Sequence, residues 1–123
     1  ASLHCEDNWP RQKPPSDLDL GLEKGSKDAA YLAAADKIIT DTLTLARPDL
    51  VFYNAGVDIH TDDRLGLLDV SDAGLKARDE VVVRACRDRA IPVVGVLGGG
   101  YSKDANAVAR RHTYLVEAMQ RYL

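Results

Sequence analysis

The sequence predicts an α/β domain built on a parallel sheet with helices on both faces. Three observations carry that prediction. Two near-continuous apolar runs, at 49–55 and 91–97, read as buried strands rather than surface edges. The stretches after 28, 72 and 103 change to a helical period. Glycine and charge gather just past the ends of the two apolar runs, where open α/β sheets place their chemistry.

The elements follow in order. Residues 7–16, DNWPRQKPPS, hold three prolines and a tryptophan, and proline removes backbone donors, so this is an irregular loop. Asp17 to Leu22 alternates polar and apolar, as a half-buried strand does. EKGSKD is a turn. From Ala29, the residues Leu32, Ala35, Ile39, Leu43 and Ala46 share one helical face, and Pro48 ends that helix. DLVFYNA is the next strand. Ser71 is an N-cap for a helix over Ala73 to Arg89, with Leu75, Val82 and Cys86 on its buried stripe. Ile91 to Leu97 is a strand that Gly98, Gly99 and Gly100 terminate. A last helix runs from about Asp104 to Tyr122, with Val108, Leu115 and Met119 toward the core. Alternating strands and helices imply parallel pairing.

The bulk numbers narrow the function classes. The 123 residues suffice for one compact domain. Hydrophobic content of 46% and charged content of 28% are those of an ordinary globular chain. A formal net charge of -3 argues against a basic nucleic-acid groove. No apolar run approaches the roughly 18 residues of a membrane span. ASLHCEDNWP lacks the basic and apolar regions of a signal peptide. Cys5 and Cys86 form no CxxC pair and read as reduced thiols of a cytoplasmic protein.

Asp58 is the sharpest candidate. It stands two residues past Gly56, where a carboxylate can ligate a metal, act as a base or cap a turn. His60 at i+2 is a conceivable second ligand, although a histidine in an acidic loop is ordinarily solvated. Asp63 and Arg64 read as an ion pair or a loop brace. VLGGGYS is neither a P-loop nor G-x-G-x-x-G, so a phosphate cradle is weakly supported. Its glycines allow close backbone approach to a ligand. Tyr101 behind them either packs or donates its phenol to an oxyanion. Trp9 is either a cover for the sheet or a wall of a narrow pocket. Ser2, His4 and Asp7 imitate a Ser-His-Asp set, but neighbours in sequence do not make a triad by adjacency.

Together these residues resemble the zinc-dependent histone deacetylase family of the arginase–deacetylase fold, in a form similar to bacterial relatives of the short class IV enzymes. AGVDIHTDDRLG is similar to the family's strand-end loop, and GVLGGGYS to its glycine loop ending in the catalytic tyrosine. SLHCEDNWP and SDLDLGL are similar to the preceding strand and aromatic loop, so the resemblance spans essentially the whole chain. It implies that Asp58 is an aspartate ligand of zinc and that Tyr101 hydrogen-bonds the substrate carbonyl. It implies that Trp9 lines the acyl-lysine tunnel beside the close-approach glycines Gly99 and Gly100. It places Ser2 and Leu3 at a structural potassium, partly through backbone oxygens, and Asp63 and Arg64 at loop-bracing positions.

The family's adjacent histidine pair and its Asp-x-His strand have no counterpart among His4, His60 and His112. Residues 1–123 are therefore expected to be the C-terminal portion of one deacetylase-like domain. The implied reaction is removal of an acyl group from lysine or a polyamine-like amine. The implied partners are the upstream part of the domain and the acylated amine. The 123 residues alone are expected to be inactive, and exposed sheet is expected to associate, a homo-oligomer included. A non-catalytic α/β binding module and a nucleotide-binding domain using Gly98 to Gly100 stand as alternatives.

Overall fold

The structure, a computed structural model, describes residues 1–122. Four strands and three helices follow one another as β1 (Ser2–Cys5), β2 (Asp19–Leu22), α1 (Asp28–Ala46), β3 (Val51–Gly56), α2 (Asp72–Arg87), β4 (Val93–Gly98) and α3 (Ala105–Arg121). Both strand pairs are parallel: β1 with β2, and β3 with β4. β1 is the one element that periodicity did not indicate. At four residues it is too short to show a period, and only the family resemblance pointed to it.

Helix ends follow local chemistry. Arg47 adopts a left-handed conformation with φ 44° and returns its N–H to the Leu43 carbonyl, just before Pro48. The Ser71 hydroxyl accepts the Gly74 amide and so caps α2. It also donates to Asp28 at 2.6 Å, which ties the starts of α1 and α2 together. Asp104 caps α3 by accepting the Asn106 and Ala107 amides. α2 ends at Arg87, two residues sooner than its pattern suggests, because the chain turns there through Ala90 at φ 56°.

The core has two lobes. One gathers Cys5, Tyr31, Ala35, Val57, Leu68, Val70, Leu75 and Tyr114 between β1, β2 and the three helices. The other joins Ile39 and Leu43 of α1 to Val82 and Cys86 of α2, against Val51, Tyr53 and Val93 of the β3–β4 pair. Full burial of a residue such as Leu75 contributes about 1.5–3 kcal/mol. Both cysteines are buried and free.

The β3–β4 pair is covered on one face. Val51, Tyr53, Val93 and Gly95 face the helices, and Leu115 and Met119 of α3 press on Gly95 so closely that a Cβ there would lie 2.8 Å from each. On the opposite face Phe52 is 71% exposed, with Val94 and Val96 beside it. The three helices thus lie to one side of this strand pair, and among the described residues no helix forms the expected layer on its other face. Among the described residues no helix is long and apolar enough to cross a membrane.

Candidate functional site

The strand register builds the site. Gly56 pairs with Gly98, so β3 and β4 end level, and the Val57 amide still donates to the Gly98 carbonyl at 3.0 Å. The chain leaving β3 reaches Asp58 in two residues, and the chain leaving β4 reaches Tyr101 in three. Gly99, at φ 64°, lies against the Asp58 side chain, where a Cβ would stand 2.5 Å from the carboxylate carbon. Gly66 is required for a different reason, since a Cβ there would overlap the Asp58 carbonyl oxygen.

Asp58 is half-buried. Burial, and then the negative charge of Asp63, push its carboxyl above the usual range. A carboxylate held in that way is poised to accept a cation or a proton. It lines a pocket of about 190 Å³ together with His4, Cys5, Trp9 and Lys13. Trp9 is 84% exposed, so it covers no sheet and stands at the pocket's edge. Lys13 holds that loop in shape by donating to the carbonyls of Glu6, Asn8 and Pro10 at 2.6, 2.9 and 3.2 Å.

Tyr101 is 44% exposed, which sets aside simple packing of its ring in the core. Its backbone is gripped on both sides. Its N–H donates to Asp63 Oδ2 at 2.6 Å, and its carbonyl accepts Arg64 Nε at 2.8 Å. Asp63 Oδ1 also accepts the amides of Leu65 and Gly66. Asp63 and Arg64 are thus a brace between two loops rather than a pair with each other.

The structure moves His60 out of solvent. It is buried, with Nδ1 2.8 Å from Asp62 Oδ1 and Nε2 3.5 Å from Asp72 Oδ1. It belongs to a polar cluster and lines no part of the Asp58 pocket. Sequence reasoning missed that cluster's centre. Arg111 of α3 is buried and reads from its position as part of a helix face, yet its fork takes both oxygens of Asp62 at 2.8 Å. Those bonds hold Asp62 well below the usual carboxylate range.

A second buried cluster anchors β3 from below and was also not legible in the sequence. Arg78 of α2 donates to the Gly56 and Ala55 carbonyls at 2.5 and 3.4 Å and to Asp79 at 3.0 Å. Asp79 accepts the Tyr53 hydroxyl at 2.6 Å, and burial pushes the Tyr53 phenol well up. Arg78 and Asp79 are adjacent in the middle of α2, and both are buried.

A zinc site of the hydrolytic kind needs three protein ligands and an open position. Among the described residues no group of three or more His, Cys, Asp or Glu is placed to hold a metal. Asp58 offers one carboxylate, so these residues do not build such a site by themselves. Ser2 and Leu3 lie in β1 opposite Asp19 and Leu20. Ser2 Oγ sits 2.8 Å from His4 Nδ1, and His4 Nε2 is 3.6 Å from Glu6. Strand alternation thus lines up Ser2, His4 and Glu6 along one side of β1, a row that leaves Asp7 out. The glycine loop is no phosphate cradle, since it lies against Asp58 and would set phosphate beside like charge.

Comparison with known proteins places the chain in a family and a fold. The family described as "Histone deacetylase domain" matches residues 3–119. An uncharacterized protein of Picosynechococcus sp. is 46% identical over 117 residues, covering 95% of this chain and 39% of its own length. Histone deacetylase 2 of Arabidopsis thaliana is 38% identical over 92 residues, covering 75% of this chain and 24% of its own. The chain therefore spans well under half the length of these relatives. Among solved structures, a histone deacetylase homologue complexed with SAHA superposes with a TM-score of 0.79 at 23% identity, over 96% of this chain and 34% of that one. Acetylpolyamine aminohydrolase from Burkholderia pseudomallei gives 0.75 at 18% identity, over 95% and 36%. These are proteins of the arginase–deacetylase fold, and this chain has part of that architecture. On the match over residues 3–119, the chain belongs to the histone deacetylase family.

Proposed function

We propose that this chain is part of a zinc-dependent amidohydrolase that removes an acetyl or other acyl group from a lysine or polyamine-like amine. The observation that carries the reading is the level ending of β3 and β4. It sets Asp58 against the Gly99 backbone, with Tyr101 two residues on and Trp9 in the same pocket as Asp58.

In this reading Asp58 is one zinc ligand, and zinc, when bound, polarises the scissile carbonyl. The remaining ligands and the proton-transfer histidines come from the rest of the domain. Tyr101 donates its hydroxyl to the oxyanion that forms on the acyl carbon. Gly99 and Gly100 let the substrate approach the backbone, and Trp9 forms one wall of the acyl-amine channel. Ser2 and Leu3 take part in the structural potassium site.

Two features support a missing structural partner. A cleft of about 290 Å³ separates β1 from β3, lined by Leu3, Tyr31, Ile39, Phe52 and Asn54 among others. The sheet face bearing Phe52, Val94 and Val96 is open beside it. Unpaired strand edges and uncovered apolar face are what the rest of a sheet would cover. The test is reconstitution of the complete domain, with hydrolysis of an acetyl-lysine reporter and zinc content as readouts. Asp58→Asn should remove zinc and activity. Full zinc occupancy in that variant, by metal analysis, would sink the ligand assignment.

A further inference from the structure

We propose that Arg111 is a positioning residue for Tyr101. It clamps Asp62, and through it Ser102, so that the glycine–tyrosine loop is locked onto the Asp58 loop. The inference rests on the reading of Tyr101 as the oxyanion donor.

The need for such a lock follows from the loop's own chemistry. Gly99 and Gly100 precede Tyr101 with φ 64° and 98°. Two consecutive glycines in the left-handed region leave the backbone free to swing, since no Cβ restricts it. The two glycines by themselves therefore do not fix the Tyr101 ring. The fixing contacts lie on its own peptide groups and on the residue after it. Asp63 and Arg64 take the Tyr101 N–H and carbonyl, but Asp63, Arg64 and Tyr101 all belong to loops.

Arg111 supplies the link to a rigid element. Its Nη1 and Nη2 each reach an oxygen of Asp62 at 2.8 Å, and its Nε reaches Asp72 Oδ1 at 3.0 Å. Asp72 opens α2, so the guanidinium spans two helices and the acidic loop. Asp62 Oδ1 accepts the Ser102 hydroxyl at 2.7 Å, and the same hydroxyl accepts Arg111 Nη1 at 3.3 Å. The residue that follows Tyr101 is thereby bonded to both members of the clamp. Arg111 is buried although both carboxylates it holds are partly exposed. Its planar fork meets a carboxylate with two parallel bonds, a geometry that lysine does not reproduce. His60 packs between Asp62 and Asp72 and completes the cluster.

Displacement of a reacting group by about 1 Å costs on the order of 100-fold in rate. In the complete domain, Arg111→Met should therefore lower kcat roughly 10- to 100-fold with KM within about twofold. Arg111→Lys and Asp62→Asn, which keep more of the packing, should fall between it and wild type. The decisive comparison is a double-mutant cycle with Tyr101→Phe. Once the hydroxyl is gone its placement has no consequence, so Arg111→Met should cost nothing further. An equal loss in both backgrounds overturns the proposal, because it marks Arg111 as structural only. Backbone amide exchange at Tyr101 and Ser102 is read in parallel. It should accelerate in all three clamp variants while the interior amides of α2 and α3 stay protected. Unchanged protection at Tyr101 overturns the proposal whatever the activity. A wild-type domain that hydrolyses no acetyl-lysine reporter removes the deacetylase reading, and exchange at Tyr101 still decides whether the clamp exists.

Discussion

Asp58, the proposed zinc ligand, carries a charge that its own fold opposes. Its carboxyl is raised by burial and by Asp63, so the native state binds its proton more tightly than the unfolded chain does. The stabilising contribution of the protonated form is fully present below the unfolded value of 3.8 and is lost as pH rises through the folded value. Asp58→Asn keeps the shape without the charge. Thermal melts of the two proteins should nearly coincide in acid and separate toward neutrality, with the Asn variant melting higher in the absence of metal. A variant less stable than wild type at neutral pH would show that Asp58 serves as a structural cap. Tyr101→Phe is the complementary substitution. Tyr101 is 44% exposed, so loss of its one hydroxyl should leave stability unchanged. In the complete domain turnover should fall about 10²–10³-fold with zinc retained, which steady-state kinetics and metal analysis would measure.

At the scale of elements, α2 is the organiser. Its N-terminus is joined to α1 through Ser71 and Asp28 and to α3 through Asp72 and Arg111. Its middle holds the end of β3 through Arg78. Ser71→Ala removes both the α2 cap and a partner of Asp28, and should cost about 1–2 kcal/mol in denaturant melts. Arg78→Met should cost more, about 3–5 kcal/mol, because it leaves Asp79 charged and buried without its cation. The same change removes a donor from the carbonyls of Ala55 and Gly56, three and two residues before Asp58. A loss below 1 kcal/mol would mean that water reaches Asp79 once the guanidinium is gone.

At the scale of the whole molecule, the helices cover one face of the β3–β4 pair and leave Phe52, Val94 and Val96 outside. Apolar surface of that kind draws a partner. The 123 residues alone should self-associate at rising concentration, and Phe52→Lys with Val96→Lys should suppress this in light scattering without lowering the melting temperature. The same pair of changes should block reconstitution of the complete domain. Reconstitution that proceeds normally would place the rest of the domain elsewhere.

Much of this is legible in the sequence. The apolar runs at 49–55 and 91–97, the Ser71 cap and the Pro48 stop depend on near neighbours in the chain. Local sequence therefore determines β2, β3 and β4, most of the helix limits and the fact that Asp58 and Tyr101 follow strand ends. The family motifs, AGVDIHTDDRLG and GVLGGGYS, are likewise continuous segments. The burial of His60, Arg78, Asp79 and Arg111 was not legible, because composition assigns such side chains to the surface. Three of them find a partner in a distant segment, Tyr53 for Asp79, the Gly56 carbonyl for Arg78 and Asp62 for Arg111, while His60 meets Asp62 nearby and Asp72 farther along the chain. Burying a charge is costly unless it is paired, and pairing across 26 or 49 residues exists only once the helices have packed. The sequence by itself determined what the elements are and where chemistry could sit. Tertiary packing alone decided which charges leave water, and so which residues hold the site in place.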